Sequence, residues 1–489
     1  MRSPPAAVLN RRQFLGTVAT GAGLVLLRGR AAAAPAAADK RPNLLYIMTD
    51  QQRWDMMSCA GNKHLKTPAM DSLAANGARF DLAYSGNPVC VPARVSMITG
   101  HLPSHFGVET NVTRLPSGYA VDPAQCMGSI LRRAGYETAY GGKVHLPFGP
   151  IADLGFEFIT PDPRDALAQA CAEFLKRKHD RPFLLVASFI NPHDICYMRV
   201  DKDHCTAALR DLCGPAFAPG LRKGAQLKAL DEALKPPAGV PFEGFIEKYC
   251  PPLPANYGVP PLESSLIAGH RAWSDQWTDE KWRLHRWAYH RLTEMVDAQI
   301  AVVLAALREA GLEDNTVVLF SSDHGDMDAS HHLEHKSVLY EEAARVPFIV
   351  SAKGATKAGL VDRTHFVSAG PDLIPTMCDY AGIAPPAGLP GRSVRALAEG
   401  REAPSWRDQV VSETGHGRMV RTARYKYIVY DSGEHREMLF DLQEDPGEMK
   451  NLAGDSRRQD ALAGHRRLLA RWIAQSGDKP AKDIVPAGG

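Results

Sequence analysis

The sequence predicts an α/β protein: a large domain with a mainly parallel central sheet flanked by helices, followed by a small C-terminal α+β unit. Three observations carry this. Short apolar runs without polar alternation, at residues 44–48, 183–190 and 317–320, have the composition of strands buried on both faces. Stretches with helical spacing alternate with them. Each run ends abruptly in polar residues: Thr49-Asp50-Gln51, Asn191-Pro192-His193-Asp194, and Ser321-Ser322-Asp323-His324. In open α/β sheets the site lies beyond the carboxyl ends of the strands, so these three endings place chemistry along one edge.

Taken in order, the chain opens on Arg11-Arg12-Gln13-Phe14-Leu15-Gly16, with an apolar run ending near Leu27 and small residues from Ala31 to Ala38. Residues 1–38 read as an export signal. The run is too short for a comfortable membrane span, and the paired arginines before Phe-Leu look like a twin-arginine (Tat) signal. The expectation is a periplasmic or secreted protein without stable membrane insertion. After the strand at 44–48, Thr67-Pro68 opens a helix, with a cap and a proline at its first position, and Gly77 closes it. Residues 87–100 read N-P-V-C-V-P-A-R-V-S-M-I-T-G. Here Pro92 suits the first position of a helix that ends at Gly100, which leaves Cys90 at a helix N-terminus with Arg94 one turn on. Free N–H groups and the helix dipole favour an anion at that point.

A strand at 137–140 precedes Gly141-Gly142-Lys143-Val144-His145. Residues 197–281 interrupt the alternation with prolines and scattered aromatics, and read as a surface insertion that selects substrate. The longest helix spans 282–310, with Leu292, Met295, Val296, Ile300, Val303, Leu304 and Leu307 at three-and-four spacing; Glu294 and Asp297 on it read as solvated or ion-paired. A strand at 346–352 and a helix at 372–380 follow. A Pro- and Gly-rich stretch at 384–404 marks a boundary between residues 39–400 and 401–489. Beyond it, 410–411, 425–430 and 438–442 read as short strands and 459–475 as a closing helix.

Composition excludes some functions. With 489 residues, 45% hydrophobic, and a net charge of +2, nothing points to nucleic acid or an anionic membrane as partner. The nine cysteines are odd in number, so one at least is unpaired in a monomer, and no C-x-x-C supports a zinc ribbon or thioredoxin-like site. Cys196, Cys205, Cys213 and Cys250 cluster without a pairing that sequence can assign.

Asp50-Gln51 and Asp323-His324 end two different strands. Two aspartates, an amide oxygen and an imidazole around a nucleophile at a helix N-terminus make an oxygen-rich site for one divalent cation, Ca²⁺ or Mg²⁺, with Mn²⁺ admitted by the imidazole. A Cys90 thiolate fits such a hard cation poorly, whereas a hydroxyl fits it well.

The C-x-P-x-R spacing of Cys90, Pro92 and Arg94 resembles the type I sulfatases, members of the alkaline phosphatase-like superfamily. So do Ser322-Asp323-His324-Gly325-Asp326 with Lys336 following, Gly142-Lys143-Val144-His145, Pro192-His193, and the C-terminal Leu439-Phe440-Asp441-Leu442 with Asp445-Pro446-Gly447-Glu448. Asp328-Ala329-Ser330 departs from the Leu-Gly-Asp common in that family. The resemblance implies that Cys90 is oxidised by a formylglycine-generating enzyme and that the aldehyde hydrate is the nucleophile, activated by Arg94 and the cation. It implies a metal set of Asp50, Gln51, residue 90, Asp323 and His324. Lys143 and Lys336 would bind sulfate oxygens, His193 and Lys336 would protonate the leaving oxygen, and His145 would take a proton from the hydrate to release sulfate. The implied activity is hydrolysis of sulfate esters, with a sulfated saccharide as substrate. The alternatives are a phosphodiesterase or phosphonate monoester hydrolase on the same fold, and a non-catalytic sulfoglycan-binding protein. The precursor is expected to accumulate unexported in a strain lacking the Tat translocon; normal export there would contradict the signal assignment.

Overall fold

The computed structural model describes residues 41–199, 225–272, 274–479, 481 and 484–486. The export signal and Cys205 and Cys213 lie outside the described residues. The strands are β1 (Asn43–Asp50), β2 (Ala78–Phe80), β3 (Ala83–Tyr84), β4 (Glu137–Gly142), β5 (Glu157–Thr160), β6 (Phe183–Pro192), β7 (Thr316–Ser322), β8 (Phe348–Ala352), β9 (Leu360–Asp362), β10 (Val367–Ser368), β11 (Gln409–Glu413), β12 (Gly417–Thr422), β13 (Tyr425–Tyr430) and β14 (Glu437–Asp441). The principal helices are α1 (Pro68–Asn76), α2 (Cys90–Thr99), α3 (Met127–Arg133), α4 (Leu167–Leu175), α5 (Asp279–Glu309), α6 (Leu373–Tyr380) and α7 (Gln459–Ser476).

Eight strands form the central sheet in the order β5-β4-β6-β1-β7-β8-β2-β9. Every pairing from β5 to β7 is parallel, as is β2 with β9; β8 runs antiparallel to both of its neighbours. The apolar runs are buried on both faces because helices cover both. Leu44, Tyr46, Met48, Leu184, Val186, Val317 and Leu319 pack with α2, α3 and α6 residues such as Met97, Ile98, Leu131 and Ile374. The intervening Leu45, Ile47, Leu185, Ala187, Val318 and Phe320 face the other way, against α1, α4 and α5. Period-two alternation is therefore present in space, but both faces demand apolar residues.

The C-terminal unit is an antiparallel sheet, β11-β12-β13-β14. One face, with Met419, Ile428 and Phe440, packs on Tyr84, Leu333 and Tyr340 of the large domain, and the other, with Val420, Tyr427 and Leu439, packs on α7.

Four local readings are corrected. α2 begins at Cys90, so Pro92 is its third residue; the first turn has no intrahelical N–H donors to lose, and proline is tolerated there. Gly100 ends α2 in the left-handed conformation, φ 75°, as expected. Strand β12 has no counterpart in the sequence reading, because Arg418 and Arg421 look solvated. Arg418 is instead buried, 2.6 Å from Asp478. Thr67 precedes α1 but its hydroxyl serves Asp71; the Ala69 and Met70 N–H groups donate to Asp297 of α5 at 3.1 and 2.9 Å. Asp297 is thus a buried cap on a neighbouring helix and not a solvated residue. Glu294 pairs with Arg291 at 2.9 Å, as expected.

Within the insertion, helical segments Ala225–Ala233, Phe245–Tyr249 and Ser265–Arg271 are described, and the first two pack along α5 through Leu230 and Phe245. Among the described residues, Cys196 and Cys250 form no disulfide. Among the described residues no helix is long and apolar enough to cross a membrane. Replacing Asp297 with Ala strands two α1 N–H donors and is expected to destabilise the fold by about 1–2 kcal/mol, read by denaturant unfolding; Asp297→Asn, which keeps an acceptor, is expected to lose less.

Candidate active site

Strand register assembles the site. β1 and β7 are adjacent and parallel with Thr49 opposite Ser322, so the next residues, Asp50 and Asp323, emerge side by side. β6 flanks β1 on its other side with Pro192 opposite Asp50, which brings His193 to the same edge. β4 pairs with β6 through Gly142 and Ser188, and Lys143 follows directly. Four neighbouring strands thereby deliver Lys143, His193, Asp50-Gln51 and Asp323-His324 to one rim. Two glycines make this possible. A Cβ on Gly142, at φ 89°, would lie 2.1 Å from the Ser188 carbonyl oxygen, and one on Gly325 would lie 1.9 Å from that of Glu342.

Arg94 is the hub. It is buried, and its guanidinium meets Asp50 Oδ2 at 2.7 Å through Nη2 and Asp323 Oδ2 at 3.0 Å through Nε. Nη1 donates to the Lys143 carbonyl at 2.8 Å and to Ser188 Oγ at 2.9 Å, so every nitrogen is satisfied. Lys143 Nζ adds a second cation on Asp50 Oδ2 at 2.7 Å. Both Oδ2 atoms are thereby engaged. Asp323 Oδ1 accepts from the Gln51 and His324 backbone N–H groups at 3.0 and 2.9 Å. Cys90 Sγ lies 3.7 Å from Asp50 Oδ1 and 3.2 Å from His324 Nε2. One ligating atom each from Asp50, Cys90, Asp323 and His324 fall within 4.8 Å of one another, all buried. His324 is oriented by its Nδ1, 2.9 Å from the Gly325 carbonyl.

The electrostatics follow from burial and neighbours. Burial and the adjacent Asp50 charge push the Asp323 carboxyl up to about 7. Asp50 is itself opposed by burial, but Lys143, His193 and Arg94 hold it well below the carboxylate range. Burial and Asp50 resist ionisation of Cys90, yet Lys143, Lys336 and His324 outweigh them and bring the thiol well below its ordinary range. Burial, Lys143 and Lys336 push His193 down to about 4, which leaves its imidazole neutral at neutral pH. Burial disfavours the Lys336 ammonium, but Cys196, Cys90 and Asp50 hold it protonated.

Gln51 stands slightly apart. In the left-handed conformation at φ 69°, it donates from Nε2 to Asp326 Oδ2 at 2.6 Å, and its Oε1 accepts from Lys336 Nζ and lies 3.1 Å from Cys196 Sγ. His145 is exposed at the rim, two residues past Lys143, outside the buried array. Of the histidines near Lys336, His331 stacks on Tyr340 in the buried core at 3.9 Å, His332 packs against Tyr257 and Trp282, and only His335 approaches the site, with Nδ1 3.1 Å from Cys196 Sγ. The sequence reading missed Ser188 and Cys196. Ser188 had a signal, a hydroxyl in an otherwise apolar strand; Cys196 had none.

A sulfatase family model matches residues 42–383, and a model described as N-sulphoglucosamine sulphohydrolase, C-terminal, matches residues 329–475. The chain belongs to the sulfatase family. As a member it is a sulfuric ester hydrolase. It is 30% identical over 478 residues to a Δ4,5-hexuronate-2-O-sulfatase of Bacteroides thetaiotaomicron, covering 91% of each chain. A solved structure described as a 2-O GAG sulfatase superposes with a TM-score of 0.72 at 29% identity, over 90% of this chain and 93% of that one. A phosphonate monoester hydrolase of Agrobacterium radiobacter shares the fold, with a TM-score of 0.69 at 22% identity over 89% and 96% of the two chains.

In this sulfatase, Arg94→Met would leave two buried carboxylates facing each other. The metal-free protein is expected to lose about 3–5 kcal/mol, measured by denaturant unfolding, because removing one partner of a buried ion pair strands the other. A loss no larger than that of a surface arginine would contradict the role of Arg94 as hub.

Proposed function

We propose that this sulfatase hydrolyses sulfate esters of a carbohydrate, with residue 90 as formylglycine and one divalent cation in the Asp50, Gln51, Asp323 and His324 set. The observation that carries the reading is the buried array in which Asp50, Asp323, His324 and Cys90 converge within 4.8 Å. Its donors suit a hard cation, Ca²⁺ before Mg²⁺ or Mn²⁺, except for one soft sulfur, and oxidation of Cys90 removes that sulfur. When bound, the cation would supply positive charge that lowers the pKa of a hydroxyl at residue 90 and polarises the ester. Gln51 joins the set in this proposal through its amide oxygen, which keeps Lys336 Nζ and exchanges the Cys196 thiol, 3.1 Å away, for the cation.

The chain's own residues then divide the work. Arg94 pairs with both aspartates and favours their ionised forms against burial. Lys143 and Lys336 bind sulfate oxygens and balance charge as sulfur is attacked in line. Lys336 Nζ supplies the proton to the leaving alcohol oxygen; His193, which burial keeps neutral at neutral pH, donates a hydrogen bond to that oxygen and not a proton. His145, at the rim, accepts the proton whose removal from residue 90 releases sulfate. The saccharide substrate is supported by the relatives whose names specify hexuronate and glycosaminoglycan sulfates. The insertion at 197–281 is the region proposed to select among sugars. Export through the Tat translocon after modification by a formylglycine-generating enzyme completes the reading and makes the protein periplasmic or secreted.

Enzyme co-produced with a formylglycine-generating system is expected to release sulfate from sulfated oligosaccharides faster than it cleaves a phosphodiester. The reverse preference would favour the phosphonate monoester hydrolase reading, which the shared fold supports. If Lys336 is the proton source, Lys336→Met should cost roughly 10²–10⁴-fold on a sugar sulfate and less on 4-nitrophenyl sulfate, whose phenolate leaves unprotonated. Equal losses on both esters would remove Lys336 from that role.

A further inference from the structure

The loop after the metal pair is unusual in its backbone. Asp328, Ala329, His331, His332, His335 and Ser337 all lie in the left-handed region, with φ of 43°, 75°, 56°, 56°, 66° and 76°. Only glycine adopts this conformation without penalty, so contacts outside the loop must fix it. Lys336 stands inside this run, and its position depends on how the loop is held.

Asp328 is the anchor that the sequence does not explain, since it replaces the leucine common in the family. Its carboxylate is fully buried, with Arg286 Nη1 3.0 Å from Oδ2 and His285 Nδ1 3.5 Å from Oδ1, both from α5. Arg286 Nη1 also donates to the Asp328 carbonyl at 2.7 Å. The Asp328 N–H donates to Asp326 Oδ1 at 2.7 Å, and Asp326 Oδ2 accepts from Gln51 Nε2 at 2.6 Å. An amide so fixed has its other end determined: Gln51 Oε1 must face Lys336 Nζ, and it does.

We propose that Asp328, ion-paired to Arg286 with His285 alongside and held by Arg286 at its carbonyl, is a positioning residue for the reaction, setting Lys336 through Asp326 and the Gln51 amide. Asp328 touches neither the ester site nor the residues that bind sulfate. The buried carboxylate is matched in this chain by two cationic or polar neighbours, Arg286 and His285, on the helix it packs against. The proposal rests on the assignment of Lys336 to the ester site.

The test uses Asp328→Asn, Arg286→Met, Arg286→Lys and the Asp328→Asn/Arg286→Met double variant. The substrate is whichever of 4-nitrophenyl sulfate and bis(4-nitrophenyl) phosphate the wild type hydrolyses faster. kcat is expressed per chain that carries both formylglycine and bound metal. The two charge-removing single variants are expected to lower kcat roughly 10- to 100-fold with KM little changed, as misplacement of a catalytic group does. The double variant is expected to fall no further than the worse single, because both changes break one clamp. Arg286→Lys, which keeps the charge, is expected to retain more kcat than Arg286→Met. Wild-type kcat per loaded site in Asp328→Asn, multiplicative losses in the double variant, or equal losses in Arg286→Lys and Arg286→Met would each overturn the proposal. If Arg286→Met fails to fold, Asp328→Asn and Arg286→Lys carry the test alone. A wild type that prefers the phosphodiester overturns the sulfate reading and leaves this test standing.

Discussion

The structure depends on one guanidinium that neutralises two buried carboxylates from neighbouring strands. Asp50 and Asp323 emerge side by side because β1 and β7 pair in parallel register. Two ionised carboxylates at such a distance in a dry interior repel strongly unless cations intervene. Arg94 occupies the gap from one side and Lys143 reinforces it. The oxygens that remain, with His324 and residue 90, face a point on the other side. The arrangement is therefore both a stability requirement and the reason the site can bind a cation: the same repulsion that needs Arg94 makes a divalent ion welcome.

The scaffold explains why these residues meet although they are separated by more than two hundred positions in the chain. Parallel strands with helical crossovers put all carboxyl ends on one rim, and helices on both faces keep that rim rigid. Helix α2 brings Cys90 and Arg94 together on one turn, with the helix N-terminus aimed at the array. Placement on strand ends and on a helix, with the loop at 328–337 pinned to α5, gives the precision that a site made from free loops would lack.

Most of this was legible in the chain. Uninterrupted apolar runs ending in Asp-Gln, His-Asp and Asp-His announce central strands with chemistry at their ends. What escaped had a physical cause in each case. β12 escaped because Arg418 and Arg421 break its apolar pattern, and only the fold shows Asp478 beside Arg418. Asp297 escaped because a carboxylate on a helix face looks solvated until α1 is seen to begin against it. Cys196 and the Asp328 clamp escaped because their partners, Gln51 and Arg286, are distant in sequence. Periodicity reports which face is buried; it does not report which buried charge answers which.

The chemistry of the array bears on residue 90 above all. A sulfur ligand among carboxylate oxygens and an imidazole is the single discordant donor, and the positive groups around it draw that position towards an anion. Conversion of the thiol to an aldehyde resolves the discord and gives the site an oxygen nucleophile. The decisive measurement is mass spectrometry of the tryptic peptide spanning residues 80–94, taken from fully active enzyme. Loss of sulfur at residue 90, with the mass of formylglycine in its place, is the expected result. An unaltered cysteine in material of full activity would contradict it.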